Sequence, residues 1–139
     1  MLAAERDRLL AKARDALASA LPEAWAIYVY GSFGRGDDWP ESDLDLAVLL
    51  PPGHTLGDRF DLASRISRVV GREVDLADLR RAGLDLVREV MRDGRPLRVQ
   101  SEADTLAWEA EQMTAYADFE PRRAALLSLY LREPLTGPS

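Results

Sequence analysis

The stretch that decides the fold runs from Gly31 to Val48 and reads GSFGRGDDWPESDLDLAV. Its first part, Gly31–Glu41, holds three glycines and a proline, which predicts a loop or a single helical turn. Residues Ser42–Leu50 are mainly apolar and predict a β-strand that ends at the turn-forming segment Pro51–Gly53. The apolar and aromatic run Ala24–Tyr30 predicts a buried strand just before the glycines. We therefore expect a loop held between two strands.

Helices and strands alternate on both sides of this stretch. Apolar residues at helical spacing predict helices over residues 5–20, 57–70, 84–92 and 102–119, and short apolar runs predict strands over residues 73–79 and 97–99. We expect Val69 and Leu84 to lie on the apolar faces of the second and third of these helices. This order of elements predicts an α/β or α+β fold in which helices pack on a small sheet.

The composition excludes several classes of protein. The 139 residues favour one compact domain, and the absence of cysteine excludes disulfides and thiolate metal sites. The net charge is −6 and the arginines are scattered, which argues against a general nucleic-acid-binding protein. No apolar run approaches the roughly 20 residues of a membrane span, and the N-terminus lacks a signal-peptide pattern. We therefore expect a cytoplasmic protein with no membrane partner.

Aspartates on the predicted strands indicate a metal site. Asp43 and Asp45 are two residues apart on one strand, so their side chains leave the same face, with Cβ atoms about 7 Å apart. Such a pair favours a hard cation with oxygen ligands, such as Mg²⁺. Asp75, on the following strand, is the expected third carboxylate, and Asp78 is the reserve choice. Three carboxylates are able to hold two Mg²⁺ ions roughly 4 Å apart, and Asp75 would contact one ion and help to deprotonate an incoming hydroxyl.

The glycine-rich loop supplies residues suited to phosphate. Gly31 lets the backbone approach a ligand closely, and Ser32 offers a hydroxyl and an amide at a helical turn. Arg35 is placed either to reach a phosphate or to pair with a carboxylate. The loop is not a Walker loop, because Asp37 and Asp38 stand where lysine and serine or threonine are needed, and its glycine spacing is the reverse of the dinucleotide fingerprint. We expect Asp37 and Asp38 to lie in a solvated loop.

The combined pattern resembles that of the polymerase-β-like nucleotidyltransferase superfamily, in which Gly-Ser, a spacer and Asp-x-Asp precede a third aspartate on a later strand. It is similar to the small MNT branch (minimal nucleotidyltransferases), whose pattern is Gly-Ser-x-Ala-Arg-Gly, a short spacer and Ser-Asp-x-Asp-Leu. The resemblance covers residues 5–99. Gly34 stands where alanine is usual in that branch, and we expect this difference to matter little.

The resemblance implies a fold and a domain organisation. The fold is a short mixed sheet flanked by helices, followed by a C-terminal helix. We expect a nucleotidyltransferase domain over residues 1–99. A helical extension over residues 100–133 would pack on it or on a partner, and residues 134–139 would form a flexible tail.

The resemblance also implies a reaction, in which a hydroxyl attacks the α-phosphate of ATP, pyrophosphate leaves and AMP is transferred. By resemblance, Gly31 and Ser32 hold the triphosphate, while Asp43, Asp45 and Asp75 hold Mg²⁺.

Three functions are compatible with this pattern. Many MNT-branch proteins resemble antitoxins that add AMP to a tyrosine of a HEPN-domain RNase toxin, and an acidic segment from Ser101 to Pro121 would complement a basic protein partner in a hetero-oligomer. One alternative is a nucleotidyltransferase that acts on a small molecule such as an aminoglycoside. Another is a non-catalytic antitoxin that binds and occludes its toxin. The sequence does not identify the acceptor hydroxyl or the preferred base.

Overall fold

The computed structural model describes residues 2–115. In chain order its elements are α1 (Ala3–Ala20), β1 (Ala26–Tyr30), α2 (Gly31–Arg35), β2 (Leu44–Leu49), α3 (Arg59–Val70), β3 (Val74–Asp78), α4 (Leu84–Asp93), β4 (Arg95–Val99) and α5 (Glu102–Ala115). The flexible tail predicted over residues 134–139 lies outside the described residues. The helical extension over residues 100–133 is described only as far as residue 115.

Within these residues the strands form a four-stranded sheet in the order β3-β2-β1-β4. The central pair β1–β2 is antiparallel, as is β1–β4, whereas β2 and β3 are parallel. A parallel pair needs a crossover connection, and α3 provides it. The mixed sheet with its flanking helices confirms the predicted fold class.

One face of the sheet packs against α1 and α3. The core on this face contains apolar side chains from both helices and from three of the four strands, β1, β2 and β3. Among them are Leu10, Leu17, Ile27, Val29, Leu44, Leu46, Val48, Ile66 and Leu76. Because side chains alternate along a strand, the residues between them project from the opposite face. Asp45 and Asp75 lie on that opposite face.

Two apolar residues do not lie where the periodicity places them. Val69 is 50% exposed and Leu84 is 63% exposed. In α3 the buried residues are Leu62 and Ile66, and Val70, not Val69, packs partly buried against the core. In α4 Leu84 is the first helical residue, and the buried side chains of this helix belong to residues further along it.

The ends of α3 fix the start of β3. Asp58 caps the N-terminus, and its side chain accepts a hydrogen bond of 3.0 Å from the Asp61 amide. Gly71 ends the helix with φ +70°, a left-handed conformation that glycine adopts without steric cost. The chain then enters β3 after two residues. The turn between α3 and β3 therefore has a defined geometry.

The chain divides after Gln100 into two units, of which the first contains the whole sheet and the second begins at Ser101. In the second unit, Ser101 Oγ donates a hydrogen bond of 2.5 Å to Asp104 Oδ2 at the start of α5. None of the helices within residues 2–115 combines the length and the apolar character needed to cross a membrane.

Candidate active site

A row of three polar side chains crosses the sheet on the face opposite α1 and α3. Tyr30 at the end of β1 pairs with Asp45 in β2, and Asp45 pairs with Asp75 in β3. Partners in neighbouring strands project from the same face, and strands lie about 5 Å apart, so the three side chains are neighbours. The register of the sheet therefore brings together Asp45 and Asp75, which lie thirty residues apart in the sequence.

Asp43 lies beside this row but not in the strand to which it was assigned. β2 begins at Leu44, and Asp43 is an exposed residue immediately before it. The strand starts late because β1 ends at Tyr30, whose partner is Asp45, so β1 offers nothing for Asp43 to pair with. The Leu44 amide bonds to the carbonyl of Glu73 at 2.8 Å, which fixes the chain just after Asp43.

The glycine-rich segment begins at the end of β1 and turns directly into α2. Gly31 has φ +65°, and a Cβ atom at this position would overlap Asp45 Oδ2. The absence of a side chain at Gly31 is therefore what allows the Asp45 carboxylate to lie against the start of α2. The first amides of a helix have no partner within it, so those around Ser32 need a partner from outside α2.

Gly34, which stands where alanine is usual in the MNT branch, lies where two backbone segments approach each other closely. A Cβ atom at Gly34 would lie 2.9 Å from the carbonyl oxygen of Asp93 and 3.1 Å from that of Val29. Both atoms belong to the backbone, which cannot move aside as a flexible side chain does. The close approach of the end of α4 to α2 therefore depends on glycine at this position.

The site is a cavity of about 390 Å³. Its lining residues come from α2, the loop after it, the start of β2 and α4; they are Gly31, Ser32, Arg35, Trp39, Glu41, Ser42, Asp43, Asp45 and Glu89. Four of these side chains are carboxylates and one is a guanidinium. A polyphosphate would be repelled by such a lining unless cations entered with it.

The charge of Asp45 is poorly compensated. Burial, followed by the nearby carboxylates of Asp75, Glu89 and Asp43, raises the pKa of Asp45 from 3.8 to about 6, and Arg35 opposes this only in part. Burial, with Asp45 next in weight, also raises the pKa of the Tyr30 hydroxyl above its usual range. Both shifts have the same origin, namely negative charge collected at a partly desolvated point.

The residues fit a hard divalent cation in their chemistry. Carboxylate oxygens are the ligands that Mg²⁺ prefers. A cation beside Asp45 would offset the negative charge of the neighbouring carboxylates, which adds to the effect of burial in raising the pKa of Asp45. As the side chains stand, however, no group of three or more histidine, cysteine, aspartate or glutamate residues between residues 2 and 115 forms a ready-made metal site. The ligand set Asp43, Asp45 and Asp75 therefore stays a prediction, and an ion would have to draw these side chains inward.

Two other predicted residues have structural partners. Arg35 lines the cavity, and its Nε donates to Asp37 Oδ2 at 3.2 Å on the surface. Asp78, the reserve choice for the third carboxylate, accepts hydrogen bonds from the Arg80 amide at 3.0 Å and from Arg81 Nη1 at 2.9 Å. Asp78 is also buried and lies three residues beyond Asp75, on the opposite face of β3. It is a structural residue of the following turn.

Three features of the site were not found from the sequence. Glu89 on α4 lines the cavity, but in the sequence it is one of several charged residues on an amphipathic helix. Asp38 was expected in a solvated loop, yet its side chain is fully buried and paired with Arg6 of α1. Arg72 bonds to the loop that leads to Asp43. No local sequence pattern signals these contacts, because each depends on residues distant in the chain.

Comparison with known proteins identifies the family. The model of the family described as "Polymerase beta, Nucleotidyltransferase" matches residues 14–103 of the chain. The chain belongs to this family. This nucleotidyltransferase is 29% identical over 107 residues to the protein adenylyltransferase MntA of Shewanella oneidensis, covering 77% of the chain and 76% of MntA. It is also 43% identical over 56 residues to the bifunctional uridylyltransferase/uridylyl-removing enzyme of Burkholderia mallei, covering 40% of the chain but only 6% of that enzyme.

Solved structures extend the similarity of the nucleotidyltransferase to the whole fold. A chain in the crystal structure of a toxin–antitoxin with AMP-PNP matches with a TM-score of 0.69 and 27% identity, covering 88% of this chain and 98% of that one. A chain in the structure of a tri-AMPylated Shewanella oneidensis HEPN toxin in complex with an MNT antitoxin matches with a TM-score of 0.66 and 26% identity, covering 91% and 98%. These comparisons confirm the predicted family and its similarity to MNT antitoxins.

Proposed function

We propose that this nucleotidyltransferase is an antitoxin that transfers AMP from ATP to a tyrosine hydroxyl of a HEPN-type RNase toxin. The observation that carries the proposal is the pairing of Asp45 with Asp75 beside Gly31 and Ser32. This arrangement combines carboxylates for a metal with a backbone that a phosphate can approach. MntA, a protein adenylyltransferase aligned over three quarters of its length, and the complex that contains an AMPylated HEPN toxin support a protein as the acceptor.

The reaction is a displacement at the α-phosphorus of ATP. The tyrosine oxygen forms a bond to the α-phosphorus, the bond from that phosphorus to the bridging oxygen breaks, and pyrophosphate leaves with the bonding electrons. The hydroxyl proton is released to a carboxylate or to water, and Asp75, which is exposed at the edge of the row, is the proposed first acceptor. Positioning and charge neutralisation supply most of the catalysis in reactions of this kind.

Asp43, Asp45 and Asp75 would hold Mg²⁺, and two ions are proposed during catalysis. Mg²⁺ would neutralise the phosphate charge and polarise the α-phosphate, and this explains how ATP enters a cavity lined mainly by carboxylates. Gly31 and Ser32 would contact the triphosphate through backbone amides and the serine hydroxyl. Arg35 would exchange its surface partner Asp37 for a phosphate oxygen, since a guanidinium binds phosphate strongly in a bidentate manner.

The segment after the sheet is proposed to contribute to the toxin-binding surface. From Ser101 to Pro121 the sequence has six acidic residues and no basic one, a pattern that complements a basic surface on a partner. The resulting hetero-oligomer would bring the acceptor tyrosine to the cavity. We place this reaction in the cytoplasm, in keeping with a chain that contains no cysteine.

The test is transfer of label from ATP to a HEPN-type RNase toxin, the proposed partner. Purified proteins are incubated with Mg²⁺ and ATP that carries the label at either the α- or the γ-phosphate. We expect the toxin to be labelled from the α-position only, and the label to disappear when the modified tyrosine is replaced by phenylalanine. Absence of label on the toxin, with active wild-type enzyme and Mg²⁺ present, would refute the proposal.

The alternatives give different results in the same system. A small-molecule nucleotidyltransferase would label an added aminoglycoside and leave the toxin unlabelled. A purely occluding antitoxin would still protect cells when Asp43→Asn and Asp45→Asn are combined and co-expressed with the toxin. We expect this double variant to lose protection, while Asp85→Asn, an exposed change on α4, keeps it.

A further inference from the structure

Arg72 contacts two of the segments that form the active site. It lies between Gly71, which ends α3, and β3. Its Nη1 donates a hydrogen bond of 2.7 Å to the carbonyl oxygen of Ser42 and a longer one of 3.4 Å to that of Trp39. Its guanidinium also lies over the ring of Phe33 in α2, 5.2 Å from the ring centre. One side chain thus joins the α3–β3 turn to the loop and to α2.

The loop that Arg72 holds is a small closed turn. The Trp39 amide donates to Ser42 Oγ at 2.8 Å, and the Ser42 amide donates to the Trp39 carbonyl at 2.9 Å. Arg72 binds the carbonyl groups at both ends of this turn. Ser42 itself is buried, although it lies in a loop, which is consistent with a turn of fixed conformation.

The shorter of the two hydrogen bonds from Arg72 holds the peptide group that joins Ser42 to Asp43. The Ser42 carbonyl and the Asp43 amide belong to the same planar peptide group, so holding the carbonyl oxygen fixes the orientation of that peptide. On the other side, the Leu44 amide is held by the Glu73 carbonyl at 2.8 Å. Asp43 is therefore placed between two anchored peptides, although its own side chain is exposed and lies outside β2.

We propose that Arg72 is a positioning residue, which sets the place of Asp43 relative to Asp45 and Asp75 by binding the Trp39–Ser42 turn. Arg72 does not line the cavity, so it acts through the backbone of Asp43 and not on the substrate. The planar guanidinium is suited to this role, because it bonds two carbonyls and stacks on a ring at once; a lysine ammonium has the charge without the plane. The catalytic part of this inference rests on the proposed function, whereas the control of the loop conformation does not.

The first test concerns the loop alone and uses metal-free protein. Hydrogen–deuterium exchange is followed for the peptide that covers residues 36–43 in the wild type and in Arg72→Met, Arg72→Lys and Arg65→Met. Arg65 is an exposed arginine of α3 and serves as the matched control. We expect faster exchange of this peptide in Arg72→Met, an intermediate rate in Arg72→Lys and the wild-type rate in Arg65→Met. Wild-type exchange in a folded Arg72→Met protein would overturn the inference.

The second test measures AMP transfer by the same variants at several Mg²⁺ concentrations. Misplacement of a catalytic group by about 1 Å costs about 100-fold in rate, so we expect kcat of Arg72→Met to fall by tenfold to 100-fold, with a smaller change in KM for ATP. We also expect half-activation at higher Mg²⁺ concentration, with Arg72→Lys again between the two. A merely structural residue would lower the melting temperature without changing the Mg²⁺ dependence, and that result would count against positioning.

The two tests separate the failure of the inference from that of the proposed function. If the wild type transfers no AMP, the proposed function is wrong, while the exchange experiment still decides whether Arg72 holds the loop. If the wild type is active and Arg72→Met keeps its kcat, the positioning role is wrong and the function stands. If Arg72→Met does not fold, Arg72→Lys keeps the charge and decides the outcome through the same two measurements.

Discussion

Asp45 lies directly opposite Asp75 in the parallel pair β2–β3, and both carboxylates project from the face that is not covered by α1 and α3. Burial makes the ionised form of Asp45 unfavourable, and repulsion from the negative charge of Asp75 adds to this cost. A divalent cation bound beside the pair would compensate for this charge. The pair is therefore unfavourable to folding, whereas its use in catalysis belongs to the proposed function. Variants of the site separate these two effects.

Replacement of Gly31 by alanine is expected to reduce AMP transfer by about 100-fold, because the new Cβ atom would occupy the place of Asp45 Oδ2 and displace this carboxylate. The positive φ of Gly31 adds a folding cost of about 1–3 kcal/mol. Steady-state kinetics and urea denaturation of the same preparations measure the two losses.

Gly36→Ala is the matched control for this change. Gly36 also has a positive φ, of +81°, but no heavy atom lies within 4 Å of the place of its Cβ. We expect a folding cost of about 1–2 kcal/mol from the backbone alone, with much less effect on the rate. Equal losses of rate in the two variants would mean that backbone strain, and not the displacement of Asp45, limits activity.

Asp45→Asn is expected to stabilise the metal-free protein at pH 8 and not at pH 4. The pKa of Asp45 rises from 3.8 to about 6 on folding, so its protonated form contributes stability at low pH. This contribution is lost as the pH rises through about 6, and above that value the folded protein carries an unfavourable charge. Asparagine removes the charge, which should add about 1–2 kcal/mol at pH 8 after allowance for solvent screening.

Thermal or urea unfolding in the presence of a chelator, at pH 4 and pH 8, tests this prediction. Asp37→Asn, at an exposed position between α2 and β2, is the control and should change stability by less than about 0.5 kcal/mol at both pH values. A stabilisation of Asp45→Asn that is equal at both pH values would show that its charge is not the cause.

Much of the fold follows from the sequence, because the signals that specify it are local. The β-branched run before Gly31 and the alternation after Ser42 are sufficient to predict β1 and β2, and Gly71 marks the end of α3. The order of the strands does not follow from such patterns, since it depends on which strands meet after collapse. The resemblance to a family implied a mixed sheet, and the register that pairs Asp45 with Asp75 came only from the structure.

The candidate site was predictable only in part. Asp43, Asp45 and the glycine-rich loop are close in sequence, so their spacing is informative. Glu89 lines the cavity from α4, and Arg72 bonds from the α3–β3 turn to the loop before Asp43. In the sequence, an isolated acidic or basic residue on such an element resembles ordinary surface charge. Only tertiary contacts place Glu89 at the cavity and join Arg72 to the loop.

Gly34→Ala tests whether the packing of α2 on α4 tolerates the residue that is usual in the MNT branch. We expect a loss of about 1–3 kcal/mol in the free energy of unfolding, because the added methyl group would press on the Asp93 and Val29 carbonyls. Urea denaturation measures the loss. Gly83→Ala, where no heavy atom lies within 4 Å of the new Cβ, should be neutral within about 0.5 kcal/mol. A neutral Gly34→Ala would mean that α4 moves without cost.

Glu89→Gln is expected to lower the pKa of Asp45 in the metal-free protein. Burial and Asp75 contribute more to the elevated pKa, but Glu89 is the next cause, and glutamine removes its negative charge at nearly constant size. A carbon-detected NMR titration of the aspartate carboxyl groups follows this change directly. Asp85→Asn is the matched control: Asp85 is an exposed residue of α4 that does not contribute to the shift, so the titration of Asp45 should stay unchanged.

The same variant connects the pKa of Asp45 to metal binding. A carboxylate ligand must lose its proton before it binds Mg²⁺. If Asp45 is such a ligand, its pKa of about 6 should make the apparent Mg²⁺ affinity of the wild type about tenfold weaker at pH 5 than at pH 8. In Glu89→Gln the pKa of Asp45 should be lower, so protons compete less with Mg²⁺ at pH 5. The ratio of the Mg²⁺ affinity at pH 8 to that at pH 5 should therefore decrease, even though the loss of a negative charge weakens binding at pH 8. Calorimetric titration with Mg²⁺ at both pH values gives the ratio. An unchanged ratio would show that Asp45 is not the group that protons and Mg²⁺ compete for.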